Sequence, residues 1–300
     1  MRLHPDEPPI DVDLVARLLA SQHPAFTHLP LRAFDSPGTT NTIFRLGDEL
    51  LVRLPRRASG VDELHKSFAW LPRLAPRLSV QLPVPVARGE PGEGYPWPWS
   101  IAPWIEGANV AVEHVLDPRQ AAQDLASFLH ELHAIDASAG PRAADLGMRS
   151  ASLQFADAEV RASIDALPED LDRDAIRAVW DAALELPGWN RAPVWSHGDL
   201  GPDNILWKDG RLVAVIDYGA LAVGDPACDL MIGWSQLRGS GRDAFREALE
   251  ADDPLWLRGR AYALAQAVIY IPYYLHTRPR GVAVARRMLD AVMADERGER

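Results

Sequence analysis

The segment Val194 to Leu230, VWSHGDLGPDNILWKDGRLVAVIDYGALAVGDPACDL, concentrates side chains whose types and spacing suit one reaction. Ile205-Leu206-Trp207 and the run Leu212 to Ile216 read as two short strands. Lys208-Asp209-Gly210-Arg211 between them holds the Asp-Gly pair that favours a tight hairpin. Such a hairpin brings Asn204, just before its first strand, close to Asp217, just after its second. Asp199 lies on the loop that leads in. Three oxygen-bearing side chains at one spot suit a hard cation such as Mg²⁺ bridged to nucleotide phosphates. Phosphoryl transfer asks the protein for neutralised phosphate oxygens, an in-line hydroxyl and a carboxylate to take its proton. Asp199 is the candidate for that carboxylate. Asp203 and Asp209 read as ordinary turn residues.

The order Asp-x-x-x-x-Asn followed by Asp-aromatic-Gly matches the catalytic and metal loops of kinases. Together, HGDLGPDN, IDYG and GDPACDL resemble the aminoglycoside phosphotransferase family, a kinase-like group with relatives acting on macrolides, choline, methylthioribose and homoserine. The resemblance runs from LRAFDSPGTTNTIFRLG through LASFLHELHAID to AQAVIYIPYYLHTRP. It implies an α+β, protein-kinase-like, two-lobed fold: residues 1–106 as a nucleotide-binding lobe of antiparallel sheet and helix, residues 107–300 as a mainly helical lobe with the catalytic hairpin and acceptor site. By resemblance Asp199 is the catalytic base, Asn204 and Asp217 hold Mg²⁺, and His197 braces the loop. Asp225 and Asp229 either cap the next helix or hydrogen-bond the catalytic loop. The implied reaction moves the γ-phosphoryl group of ATP or GTP to a hydroxyl of a small molecule, an aminoglycoside or related antibiotic or metabolite.

For the nucleotide, the resemblance points to Gly38, Thr39 and Thr40 in a phosphate-covering turn, and to the Pro103 carbonyl and Ile105 N–H along the purine edge. Arg53 of LLVRLP stands where kinases carry a lysine, and it can bind phosphate bidentately. Relatives tend to carry a glutamate partner where this chain has Ser67. Whether Glu63, one helical turn earlier, takes its place stays open, and with it the alternative of a nucleotide- or ligand-binding pseudokinase sensor. A protein kinase is disfavoured because no Ala-Pro-Glu segment follows IDYG.

These residues need elements to position them. Strands are expected at Thr27 to Phe34, Thr42 to Leu46 and Leu50 to Leu54, the last two joined by Gly47-Asp48-Glu49, and at Val84 to Arg88 and Trp99 to Ile105. A helix is expected from Val61 to Leu78, kinked or ended by Pro72. Beyond Gly107 apolar residues recur at helical spacing around Leu125 to Ile135, and in 151–166, 173–186, 243–251, 257–275 and 282–294. Acceptor contacts could come from Asp157, Glu159, Asp165, Asp252 and Asp253, or from Tyr270, Tyr273 and Tyr274. Trp104 is expected to pack between the lobes.

Composition narrows the classes further. A formal net charge of -11 opposes binding to a nucleic-acid backbone, and one cysteine, Cys228, excludes an internal disulfide or a cysteine-rich zinc site. No apolar run is long enough to span a membrane, and the acidic, Pro-rich start is unlike a signal peptide, so a cytoplasmic enzyme is expected.

Overall fold

A computed structural model describes residues 7–35, 40–109 and 117–298. The chain divides into two compact units, Met1–Arg77 with Gln81–Glu106, and Leu78–Val80 with Gly107–Arg300. Among the described residues, no helix is long and apolar enough to cross a membrane.

The first unit opens with α1 (Val12–Gln22), where the Asp11 carboxylate accepts from the Leu14 N–H at 2.8 Å and caps the helix. Leu14, Val15, Leu18 and Leu19 form its buried stripe. Strands β1 (Leu31–Phe34), β2 (Asn41–Leu46), β3 (Leu50–Pro55), β4 (Ala87–Gly89) and β5 (Trp99–Pro103) form an antiparallel sheet in the order β1-β2-β3-β5-β4. Phe44, Leu46, Val52, Leu54, Trp99 and Ile101 pack on the α1 stripe to make the core. Gly47, at φ +61°, makes the turn between β2 and β3, where a side chain would be strained.

Three expectations change here. The first strand starts at Leu31 rather than Thr27, because Pro24–Phe26 fold into a 3₁₀ turn. The fourth strand runs over Ala87–Gly89 rather than from Val84, since Pro85 has no N–H to give a ladder and pairing begins with the Val86 N–H on the Ile101 carbonyl at 2.8 Å. Helix α2 (Ser59–Leu74) stops four residues before Leu78, within a turn of Pro72, whose ring and missing N–H oppose continuation.

In the second unit, α3 (Pro118–Ala134) buries Leu125, Phe128, Leu129 and Leu132. The short α4 (Ala143–Leu146) precedes α5 (Leu153–Asp165) and α6 (Arg173–Leu184). Strand β6 (Val194–Ser196) pairs with β9 (Ala222–Gly224), and between them lies the hairpin β7 (Ile205–Lys208) and β8 (Arg211–Val215). Four helices complete the unit: α7 (Ile232–Ser235), α8 (Gly239–Ala248), α9 (Asp253–Tyr274) and α10 (Pro279–Glu296). Helix α9 starts four residues before the expected Leu257, set by the Asp252 cap on Leu255 and by Pro254 in its first turn. It is buried nearly all round, and Gly259 lets it approach Leu230, whose Cβ lies 2.6 Å from where a side chain would begin.

Candidate active site

The β7–β8 hairpin turns at Asp209 (φ 52°) and Gly210 (φ 75°), the pair of positive φ angles that Asp-Gly supplies. Its register pairs Ile205 with Val215, and the Ile216 N–H donates to the Asn204 carbonyl at 2.8 Å, so Asn204 sits beside the residue that leads to Asp217. From helix α3, Asp124 accepts from Arg211 Nε and Nη2, each at 2.9 Å, and from the Leu212 N–H at 3.1 Å, which clamps the hairpin to the helical scaffold. Asp217 itself is left-handed, at φ 63° and ψ 69°. Aspartate tolerates that region better than most residues, and such strain is characteristic of functional positions.

Asp199 is reached through a loop held from below. The buried carboxylate of Asp229 accepts from the N–H groups of His197 and Gly198, both at 2.8 Å. Burial pushes the Asp229 carboxyl up, against the pull of those N–H donors. His197 is fully buried; its Nε2 faces the Ile216 carbonyl at 2.9 Å and therefore donates. That leaves Nδ1 to accept from the Asp199 N–H at 3.3 Å, so the ring ties the loop to the end of β8. Gly198 has φ +77°, and a Cβ there would lie 2.6 Å from the Ala220 carbonyl oxygen.

At the carboxylate itself, Asn204 Nδ2 donates to the Asp199 carbonyl at 2.8 Å and approaches Oδ2 at 3.3 Å. Arg149 Nη1 donates to Oδ1 at 2.7 Å. The side chain of Asp199 stays 38% exposed, which leaves room for an acceptor hydroxyl. Asn109 supports the same loop from outside the motif, donating to the carbonyls of Asp203 and Ile205, each at 2.8 Å. Neither Arg149 nor Asn109 lies in a recognisable motif.

Asp225 serves the turn that follows β9. Its carboxylate caps the Ala227 N–H at 2.9 Å and pairs with the buried Arg258 at 2.8 Å. Of the two aspartates that open alternatives left together, Asp229 holds the loop and Asp225 holds the turn that follows β9.

The donor set can be tested against Mg²⁺ by its chemistry. Among the described residues no three His, Cys, Asp or Glu side chains gather as a protein-only metal cage. Asn204 spends its amide nitrogen on Asp199, so its carboxamide oxygen and the Asp217 carboxylate offer a sparse all-oxygen set. That fits Mg²⁺, which keeps most of its positions for phosphate oxygens and water.

In the first unit, Arg53 on β3 meets Glu63 on α2, Nη2 to Oε2 at 3.1 Å, with both side chains about one-fifth exposed, at 19% and 22%. With its oxygen turned to the guanidinium, Asn41 accepts from Arg53 Nη2 and Nε at 2.8 and 3.0 Å. Ser67 is buried, and its hydroxyl donates to the Glu63 carbonyl at 2.9 Å. Thr40 accepts from the Arg56 N–H at 2.8 Å through its carbonyl. Gly38 and Thr39 lie outside the described residues. Pro103 pairs with Leu50 at the end of β5, and Ile105 is buried. Trp104 packs within this unit, edge to face with Phe34 at 4.9 Å and with the Arg45 guanidinium 3.9 Å from its ring centre.

Four of the five acidic acceptor candidates are engaged elsewhere, while Glu159 adds its charge to the field at Arg149. Asp157 accepts from Trp180 Nε1 at 2.8 Å and pairs with Arg161, Asp165 pairs with Arg177, Asp252 caps α9, and Asp253 pairs with Arg246. Tyr270 and Tyr274 pack at a 42° tilt with ring centres 4.5 Å apart, and Tyr273 meets Tyr274 at 4.6 Å while staying 65% exposed.

The chain is similar to known proteins along most of its length. The model of the phosphotransferase enzyme family matches residues 31–264. An Escherichia coli aminoglycoside 3'-phosphotransferase is 31% identical over 115 residues, 38% of this chain and 42% of that protein, so the match spans less than half of that relative. The viomycin phosphotransferase of Streptomyces vinaceus is 30% identical over 194 residues, 62% of this chain and 67% of that protein. Among solved structures, the GDP complex of aminoglycoside 2'-phosphotransferase-IIIa superposes with a TM-score of 0.75 at 20% identity, over 96% of this chain and 100% of that one. The macrolide 2'-phosphotransferase of Brachybacterium faecium gives 0.64 at 26% identity, over 95% and 97%. The fold is therefore the kinase-like α+β fold of these phosphotransferases, and the chain belongs to the phosphotransferase enzyme family.

Proposed function

We propose that the chain transfers the γ-phosphoryl group of ATP or GTP to a hydroxyl of a small molecule, with Asp199 as the base. The observation that carries this reading is the hairpin register that brings Asn204 beside the approach to Asp217, while His197, Asp229 and Asn204 hold Asp199 at the loop tip. In the reaction the acceptor O–H gives its proton to Asp199 and its oxygen bonds the γ-phosphorus. The bond from that phosphorus to the β–γ bridging oxygen breaks, and the nucleoside diphosphate leaves. Asn204 and Asp217 would hold Mg²⁺, whose contribution is to neutralise the phosphate oxygens.

On the first unit, Arg53 is the cation for the phosphates, kept in place by Glu63. Gly38, Thr39 and Thr40 would cover the phosphates, and the Pro103 carbonyl and Ile105 N–H would meet the base. The solved relatives named as GDP and ADP complexes support a nucleotide co-substrate. For the acceptor, aminoglycosides, viomycin and macrolides are the alcohols that the relatives' names supply.

The test is a panel of these acceptors, with choline and sugars, incubated with Mg²⁺ and ATP or GTP. We expect mass spectrometry to find one product heavier than its acceptor by a single phosphoryl group. Nucleotide binding without a phosphorylated product from any acceptor would contradict transfer and favour a sensor.

A further inference from the structure

The Asp199 carboxylate is held on both oxygens, and the stronger hold comes from outside its own segment. Arg149 Nη1 donates to Oδ1 at 2.7 Å, a short charge-assisted bond, whereas Asn204 Nδ2 reaches Oδ2 only at 3.3 Å. Oδ1 is thus committed to the guanidinium, and Oδ2 is the oxygen able to take a proton.

Arg149 is itself firmly mounted. It begins the 3₁₀ turn Arg149–Ala151, whose Ser150 is fully buried and whose Ser150 carbonyl accepts from the Asp225 N–H at 2.8 Å. Asp225 is fixed by the buried Arg258 at 2.8 Å, and Ser152, just beyond the turn, caps α5 through the Phe155 N–H at 3.2 Å. Gly224 permits the close contact: a Cβ there would lie 2.1 Å from the Ser150 carbonyl oxygen. The sequence Arg258, Asp225, Ser150, Arg149, Asp199 is a continuous path from the core of the unit to the carboxylate. These contacts fix the backbone from which Arg149 extends, and its guanidinium, 45% exposed, meets Asp199 as a charged pair.

Resting on the reading of Asp199 as the base, we propose that Arg149 is the positioning residue for this carboxylate. Its guanidinium locks the rotamer so that Oδ2 faces the incoming hydroxyl. The proton taken from that hydroxyl then resides on Oδ2 while Oδ1 keeps its bond to Arg149.

Hydrolysis of Mg·ATP and Mg·GTP without an acceptor is the assay, since Asp199 would there serve a water molecule. Wild type, Asp199→Asn, Arg149→Ala and Arg149→Lys are compared for kcat, nucleotide KM and melting temperature. We expect Arg149→Ala to lower kcat about tenfold to a hundredfold with nucleotide KM and melting unchanged. We expect Arg149→Lys to recover part of the rate. Added guanidinium at concentrations that do not shift the melting curve should restore part of the Arg149→Ala rate, because the side chain it replaces is 45% exposed. A purely structural role would lower melting and would not respond to guanidinium. Wild-type kcat in Arg149→Ala, with Asp199→Asn inactive, overturns the positioning role alone. Equal hydrolysis by wild type and Asp199→Asn overturns the base assignment beneath it. Should Arg149→Ala fail to fold, an Arg149→Lys variant that folds and keeps the full wild-type rate also overturns the proposal.

Discussion

The catalytic segment and the cationic end of the first unit solve the same problem, placing a charge, by different means. At Asp199 the loop is held mostly by side chains bonded to its backbone and to the end of β8, Asp229 on two N–H groups, His197 on the Ile216 carbonyl and Asn204 on the Asp199 carbonyl, with Arg149 on the carboxylate itself. At Arg53 the supports are side chains from a neighbouring strand and helix, Asn41 and Glu63. Backbone-directed bonds depend on one residue type at one position. A side-chain pair can be satisfied from any position on the facing helix surface, and here Glu63 meets Arg53 while Ser67, four residues on, bonds back to its carbonyl. That contact gives Arg53 a carboxylate partner although position 67 is a serine.

The first way to break this contrast is Asp199→Ala, which should cut turnover by about a hundredfold or more with nucleotide affinity intact. A near-normal rate would leave the whole loop without a role. Next comes Asp229→Ala, which strands the His197 and Gly198 N–H groups in the core. It should cost on the order of 2–3 kcal/mol in denaturant unfolding. A loss within about 0.5 kcal/mol would mean that the loop is held by other groups.

Smaller effects are expected in the first unit. Glu63→Gln keeps the shape but not the charge, and nucleotide KM should rise a few-fold while kcat holds. Ser67→Ala should change neither by as much, and the reverse order would return the partner role to position 67. The smallest effect at neutral pH concerns His133 on α3, whose ring is pushed down to about 4 by burial and by His130. The unfolded chain protonates near pH 6.5 and the folded one near 4, so the unfolded state binds more protons between these values. Stability should fall as pH drops through that window, and His133→Gln should flatten the slope; an unchanged slope would locate the acid sensitivity elsewhere.

The same contrast explains what could be read from residues alone. The Asp-Gly turn and the apolar runs around it state the β7–β8 register within a few residues, so the meeting of Asn204 with the approach to Asp217 was legible. Asp225 and Asp229 stand four apart in one segment with the same capping chemistry, and only their three-dimensional neighbours separate a partner of Arg258 from the support of His197. Arg149 and Asn109 reach the loop across 50 and 94 residues of chain, from segments with no local pattern to announce them. Strand limits failed at prolines, where a β-like run lacks the N–H groups that a ladder needs.

The most direct test of the central claim is the Mg²⁺ dependence of nucleotide affinity in wild type and Asp217→Ala, measured by calorimetry with a non-hydrolysable triphosphate analogue. Wild-type affinity should rise with Mg²⁺, and Asp217→Ala should lose most of that rise while its melting curve is kept. Equal affinity and equal metal dependence in the two proteins would contradict the assignment of Asp217, and with it the hairpin as the device that gathers the site.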